Sequence, residues 1–84
     1  MELQFKLSGS LIASAEATHV PEIGSEVIIR MDSYKKGYTP GTLLRFKVSS
    51  EYPPVYDFTL GDNAVVHIDV NEFEVLEEGP PIDE

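Results

Sequence analysis

Apolar and polar residues alternate along most of this chain, with a period of two. Leu3, Phe5 and Leu7 alternate with Glu2, Gln4 and Lys6, and Leu44, Phe46 and Val48 with Arg45, Lys47 and Ser49. Tyr56, Phe58 and Leu60 alternate with Asp57 and Thr59, and Val66, Ile68 and Val70 with His67 and Asp69. Successive side chains of a strand point to opposite faces, so each run predicts a half-buried strand. The β-branched Val27-Ile28-Ile29 opens another strand, and Phe73-Glu74-Val75-Leu76 a brief last one. Leu11 to Val20 is expected to return as the second strand of a hairpin, with Leu11, Ala13, Ala15 and Ala17 on one face. Its Ala-Ser-Ala-Glu-Ala core also suits a helix by propensity.

Turn residues punctuate these runs. Ser8-Gly9 supplies a tight turn, and Pro21 and Gly24 bracket another. Asp32 to Gly41 reads as a polar loop, and Pro53-Pro54 stops a strand because proline cannot donate to a ladder. Gly61-Asp62-Asn63 joins two runs into a hairpin, and Asn71-Glu72 marks a short break. Glu77 to Glu84 carries four acids and Gly79-Pro80-Pro81, the composition of a disordered tail. The pattern predicts an all-β fold, a small barrel or sandwich of five to seven short antiparallel strands. Residues 1–76 would form one domain and 77–84 an acidic tail.

Composition narrows the picture. With 84 residues there is room for one thin core. No cysteine is present, so no disulfide or thiolate site can staple the fold, which fits a reducing compartment. The N-terminus lacks a basic segment followed by an apolar run, and no apolar stretch approaches the roughly 20 residues that span a bilayer. A cytoplasmic protein with no membrane partner is the expectation. The net charge of −9 is unevenly placed. Residues 1–47 hold all six basic residues and five acids, whereas residues 48–84 hold ten acids and no Lys or Arg. Such a split governs choice of partner rather than fold.

Val20-Pro21-Glu22-Ile23-Gly24-Ser25-Glu26-Val27, a loop, Gly41 to Val48, a hairpin and a closing Val70 to Val75 follow in an order that resembles an SH3-like small β-barrel. The resemblance covers about residues 20–76, makes Val70 to Phe73 the short turn before the last strand, and leaves the N-terminal hairpin as an extension. It implies a peptide, nucleic-acid or assembly module rather than a particular ligand.

A search for chemistry yields little. Nucleophilic catalysis needs a nucleophile, a base and an orienting group, and there is no cysteine and no Gly-x-Ser-x-Gly elbow. His67 and Asp69 share a strand face, as a base and its orienter would, but a solvated histidine beside an aspartate on an exposed face is the favoured explanation. Two distant histidines make a poor zinc site, and turn chemistry accounts for Asp62-Asn63 near Asp57 and Asp69 without calcium. No cofactor, metal or catalytic residue is expected, and the chain reads as a non-enzyme.

Two surfaces remain. Asp57, Asp62, Asp69, Glu72, Glu74, Glu77 and Glu78 fall on strands and turns expected to lie close together. A solvated face that keeps a small protein soluble is the plainer explanation, but carboxylates on a rigid sheet can also imitate duplex phosphates and enter the basic groove of a nucleic-acid-binding protein. This gives the leading expectation, a small acidic interaction protein that binds a basic protein, in its most specific form an anti-CRISPR-like or DNA-mimic inhibitor of phage or mobile-element type. The second surface is the loop bearing Tyr34, Lys35, Lys36 and Tyr38, which with Arg30, Arg45 and Lys47 is net +4 from residue 30 to 47. It could stack on bases or bind an acidic peptide, but the acidic half argues against direct nucleic-acid binding. The alternative expectation is an SH3-like adaptor or assembly module that uses Tyr34, Tyr38, Tyr52 and Tyr56 as an aromatic patch. Exposed strand edges leave a homodimer open.

Overall fold

The structure is a computed structural model that describes residues 1–80, with only the backbone described at positions 72 and 73. Residues 81–84 of the expected tail lie outside the described residues. Six strands form one curled half-barrel sheet: β1 (Glu2–Leu7), β2 (Ser10–Glu16), β3 (Glu26–Arg30), β4 (Leu43–Val48), β5 (Val55–Asp57) and β6 (Val65–Glu77). Their spatial order is β2-β1-β6-β4-β3, with β5 also paired to β6. Among the described residues there is no helix, and none long and apolar enough to cross a membrane.

β6 organises the sheet. Its first residues, Val65 to Asp69, pair in parallel with Glu2 to Lys6 of β1, and Val65 to His67 pair antiparallel with β5. Its second half pairs antiparallel with β4. At the usual strand rise, 13 residues span roughly 40 Å, close to the 42 Å long axis of the molecule. The expected break at Asn71-Glu72, and the expected turn from Val70 to Phe73, are corrected here: the backbone stays in one strand. Register shifts against β4, between its partners Asn71 and Glu74 and again between Val75 and Glu77, take the place of a turn. An extra residue on one strand bends and twists it, which lets β6 serve both ends of the curled sheet.

Three of the alternating runs bury the faces their period predicts. Leu3, Phe5, Leu44, Phe46, Val48, Val66, Ile68 and Val70 all enter the core, joined by Ile12, Ile29 and Met31. β2 is a strand, so the helix that propensity allowed does not form. The expected inward face is corrected: Ile12, not Leu11, is the buried anchor, and Ala15 is exposed. The β1–β2 register shifts between Phe5 and Lys6, so Ile12 is the extra residue of a bulge. Leu11 then sits opposite Lys6 and is exposed.

Two tight turns have the chemistry their geometry demands. Ser8 and Gly9 both have positive φ (51° and 81°), as do Lys36 and Gly37 (54° and 84°). Two successive positive-φ residues match the twist of the flanking strands, and glycine takes the second position without strain. Lys35 and Tyr38 exchange two backbone hydrogen bonds of 3.2 and 2.9 Å across the second turn, so the polar loop contains a small hairpin.

The chain beyond β6 is held at its start. The Gly79 N–H donates to Thr42 Oγ1 at 3.0 Å. A Cβ at Gly79 would lie 2.6 Å from the Pro40 carbonyl oxygen and 2.8 Å from the Thr42 nitrogen. Gly79→Ala should therefore push this segment off the Thr39–Thr42 loop and cost about 1–3 kcal/mol, the usual penalty of overpacking. Thermal melts would show the loss, and amide exchange at position 79 would accelerate. Unchanged exchange would mean that the loop yields instead.

Candidate interaction surface

The fourth alternating run behaves differently from the other three. Pro53-Pro54 supply no N–H, and β5 begins directly after them and lasts three residues. Tyr56 pairs with Val66, which is fully buried, so both lie on the inner face of the sheet. Tyr56, on the neighbouring strand, continues this apolar face but is exposed. Asp57 then turns the chain: its Oδ1 accepts from the Thr59 N–H at 2.9 Å and the Thr59 hydroxyl at 2.7 Å. Phe58 folds back so that its ring lies 6.3 Å from that of Tyr56, stacked at 17°. Phe58 is 65% exposed and Leu60 78%, and Tyr52, Val55 and Tyr56 are exposed with them. Five large apolar side chains within nine residues are exposed. Val55 points to the opposite face of β5 from Tyr56, whereas the stacked Tyr56–Phe58 pair, with Tyr52 and Leu60 near it in the chain, makes a ridge of the kind that marks an interaction site. Among the described strands, none pairs with the outer edge of β5.

Carboxylates rim this ridge. Glu51 adjoins Tyr52, Asp57 lies between Tyr56 and Phe58, and Asp62 follows Leu60. Glu51, Tyr52 and Asp69 line one hollow of about 430 Å³ with Ser8, Gly9, Ser49 and Asn71. Lys6, opposite Asp69 in register, is the basic residue that the strand pairing brings to this end. Hydrogen bonds from Thr59, first its backbone N–H and then its hydroxyl, hold the Asp57 carboxyl below its ordinary value, and His67 adds to the effect. A carboxylate depressed in the folded state stabilises it above the unfolded value, near 3.8, and loses that contribution as pH falls through the folded value. A carbon-detected titration should place the Asp57 midpoint below 3.8. Thr59→Val, which keeps the N–H and removes the hydroxyl, should bring it partway back. A midpoint unmoved by Thr59→Val would assign the whole effect to the backbone and His67.

His67 meets Asp57 across the β5–β6 pair, with Nε2 3.8 Å from Oδ2, rather than Asp69 on its own strand. Its Nδ1 is buried without a hydrogen-bond partner among the described residues. Among the described residues, no three His, Asp or Glu side chains converge to hold a metal ion.

The seven carboxylates singled out by sequence do not gather into one cluster. Asp57, Asp62 and Asp69 belong to the ridge end of β6. Glu74 lies farther along and binds Arg45 Nη2 at 2.6 Å, while Arg45 Nε lies 3.3 Å from Glu26, a chain of charges across β3, β4 and β6. Glu77 stands opposite Leu43, and Glu78 lines a hollow with Gly37, Tyr38, Thr39 and Thr42, beside the basic hairpin. The Glu72 side chain lies outside the described residues. The basic and aromatic loop also divides. Tyr34, Lys35 and Lys36 are exposed, Tyr38 packs against the core, and Arg30 Nη1 donates to the Gly41 carbonyl at 3.1 Å. Tyr52 and Tyr56 belong to the ridge and not to this hairpin. Glu51, Phe58 and Leu60 are the members of the surface that sequence reasoning left out. No family model matches the chain, and neither does any curated protein or solved structure.

Proposed function

We propose that this is a small, non-catalytic, acidic interaction protein that docks on a basic protein partner in the cytoplasm. Its most specific form is an anti-CRISPR-like or DNA-mimic inhibitor, of phage or mobile-element type, whose carboxylates stand in for nucleic-acid phosphates. The observation that carries this reading is the set of Asp69 on β6 and Glu51 and Asp62 in the bends that flank β5, in a half of the chain that has no Lys or Arg. None of these three forms an ion pair with a described residue, so their field reaches outward. A field of one sign draws an oppositely charged partner over distances that salt shortens. Affinity capture from a host lysate at two salt concentrations tests the reading. A nucleic-acid-binding protein retained at low salt, released at high salt, and not retained by Glu51→Lys/Asp62→Lys is the expected result. Capture indifferent to both salt and charge reversal would defeat it.

A second reading has its own support. A curled half-barrel of short strands is compatible with an SH3-like barrel, and exposed Tyr52 and Tyr56 beside Phe58 and Leu60 suit an adaptor or assembly module. That module would bind an apolar peptide or a second copy of itself, and its binding would survive high salt.

A further inference from the structure

We infer that the Tyr52–Leu60 ridge is the anchor of the docking surface, and that its occupant is a partner protein presenting an apolar recess rimmed by Lys and Arg. The inference rests on the acidic-docking reading and names the site and the partner's chemistry. Three observations carry it. First, Tyr56 lies beside the buried Val66 on the inner face of the sheet yet is exposed, so it is core-type surface that lacks a cover. Second, the Asp57–Thr59 turn and the Tyr56–Phe58 stack fix the central aromatic pair of the ridge. A pre-shaped aromatic group loses little entropy when it docks, which is why aromatic anchors dominate binding energy. Third, the surroundings are acidic: Glu51, Asp57 and Asp62 neighbour the apolar residues in the chain, and Glu51 and Asp69 line a hollow with Tyr52.

Charge decides among occupants. A second copy would bring two such rims face to face, between chains that each carry −9, and like charges across an interface are costly. An uncharged apolar peptide would leave the carboxylates desolvated and unpaired at the edge of the contact. A recess ringed by Lys and Arg satisfies both parts of the surface. The two parts then have separate duties: the rim steers the encounter, and the ridge sets how long the complex lasts.

The test uses the full chain and three synthetic helical peptides. One carries leucine on one face and lysine on the other, the second is a scramble of the same composition, and the third has glutamate for lysine. The expected result is saturable binding of the lysine peptide alone. Amide shifts should concentrate on residues 51–62 and spare 34–38. Phe58→Ser/Leu60→Ser should weaken binding roughly 30-fold or more, the effect of removing a central anchor, while leaving the amide spectrum of the core strands unchanged. Failure of the lysine peptide to bind would overturn the inference, as would equal binding of the glutamate or scrambled peptide. So would a dimer of the free chain that the double variant converts to monomer, because a second copy would then be the cover. Binding untouched by Phe58→Ser/Leu60→Ser but lost in Glu51→Lys/Asp62→Lys would remove the ridge and leave the acidic reading standing. Salt-indifferent binding lost only in the ridge variant would remove the acidic reading and its basic-rimmed partner together.

Discussion

Phe46→Ala should unfold much of the protein at physiological temperature, whereas Phe58→Ala should leave it folded. Phe46 sits on β4, the strand between β3 and β6, and is 1% exposed, the largest fully buried side chain described. Truncating a buried phenylalanine removes its transfer free energy and leaves a cavity, a combined cost of about 3–5 kcal/mol. A domain of this length has roughly 4–13 kcal/mol of total stability by the usual per-residue range, so the change removes a large share of it. Phe58 has the same chemistry in solvent, and its described ring contact is the stack on Tyr56. Its loss should cost about 1 kcal/mol or less. Urea unfolding followed by far-UV circular dichroism measures both. The pair forms an internal control, because the substitution is identical and only the cover differs. A Phe58→Ala cost approaching that of Phe46→Ala would mean that the ridge is structural core, and the docking surface would have to be sought elsewhere.

That comparison also shows what the sequence could reveal. Strand period and turn chemistry are local properties, so the β1–β2 hairpin at Ser8-Gly9 and the inward faces of β1, β4 and β6 were legible from alternation alone. The run Tyr56-Phe58-Leu60 has the same period, and nothing in it states whether its apolar face meets the chain's own core or solvent. That answer depends on β5 lying at a free edge of the sheet, which is a tertiary fact. The Ile12 bulge was hidden for a related reason: one extra residue reverses the face of everything before it, and Leu11 and Ile12 are equally apolar. The parallel pairing of β1 with β6 joins residues about 60 positions apart, and no local pattern encodes such a contact. Charge followed the same rule. The division into a near-neutral first part and an acidic second part was plain in the sequence. The capture of Glu74 by Arg45 required knowing that β4 and β6 are neighbours.

The surviving carboxylates lead to the second large effect. Glu51→Lys/Asp62→Lys changes the net charge by +4, from −9 to −5, at the rim of the ridge. Neither side chain holds the fold: Glu51 contributes its backbone N–H, which donates to Ser49 Oγ at 3.1 Å and persists in the variant. Asp57 is avoided because it closes the turn, and Asp69 because a lysine there would face Lys6. Electrostatic steering raises association rates by roughly 10- to 1,000-fold at low ionic strength, so the double variant should associate with the captured basic partner at least about tenfold more slowly in low salt. The difference from wild type should shrink as salt rises and the Debye length falls below about 10 Å. Phe58→Ser/Leu60→Ser should show the opposite signature, a faster dissociation rate that persists at high salt. Stopped-flow mixing across a salt series separates the two. Equal association rates for wild type and the charge-reversed variant at low salt would show that the rim serves solubility alone. The acidic half would then be a solvent coat around an apolar contact, and the second reading, an assembly module built on the same ridge, would take its place.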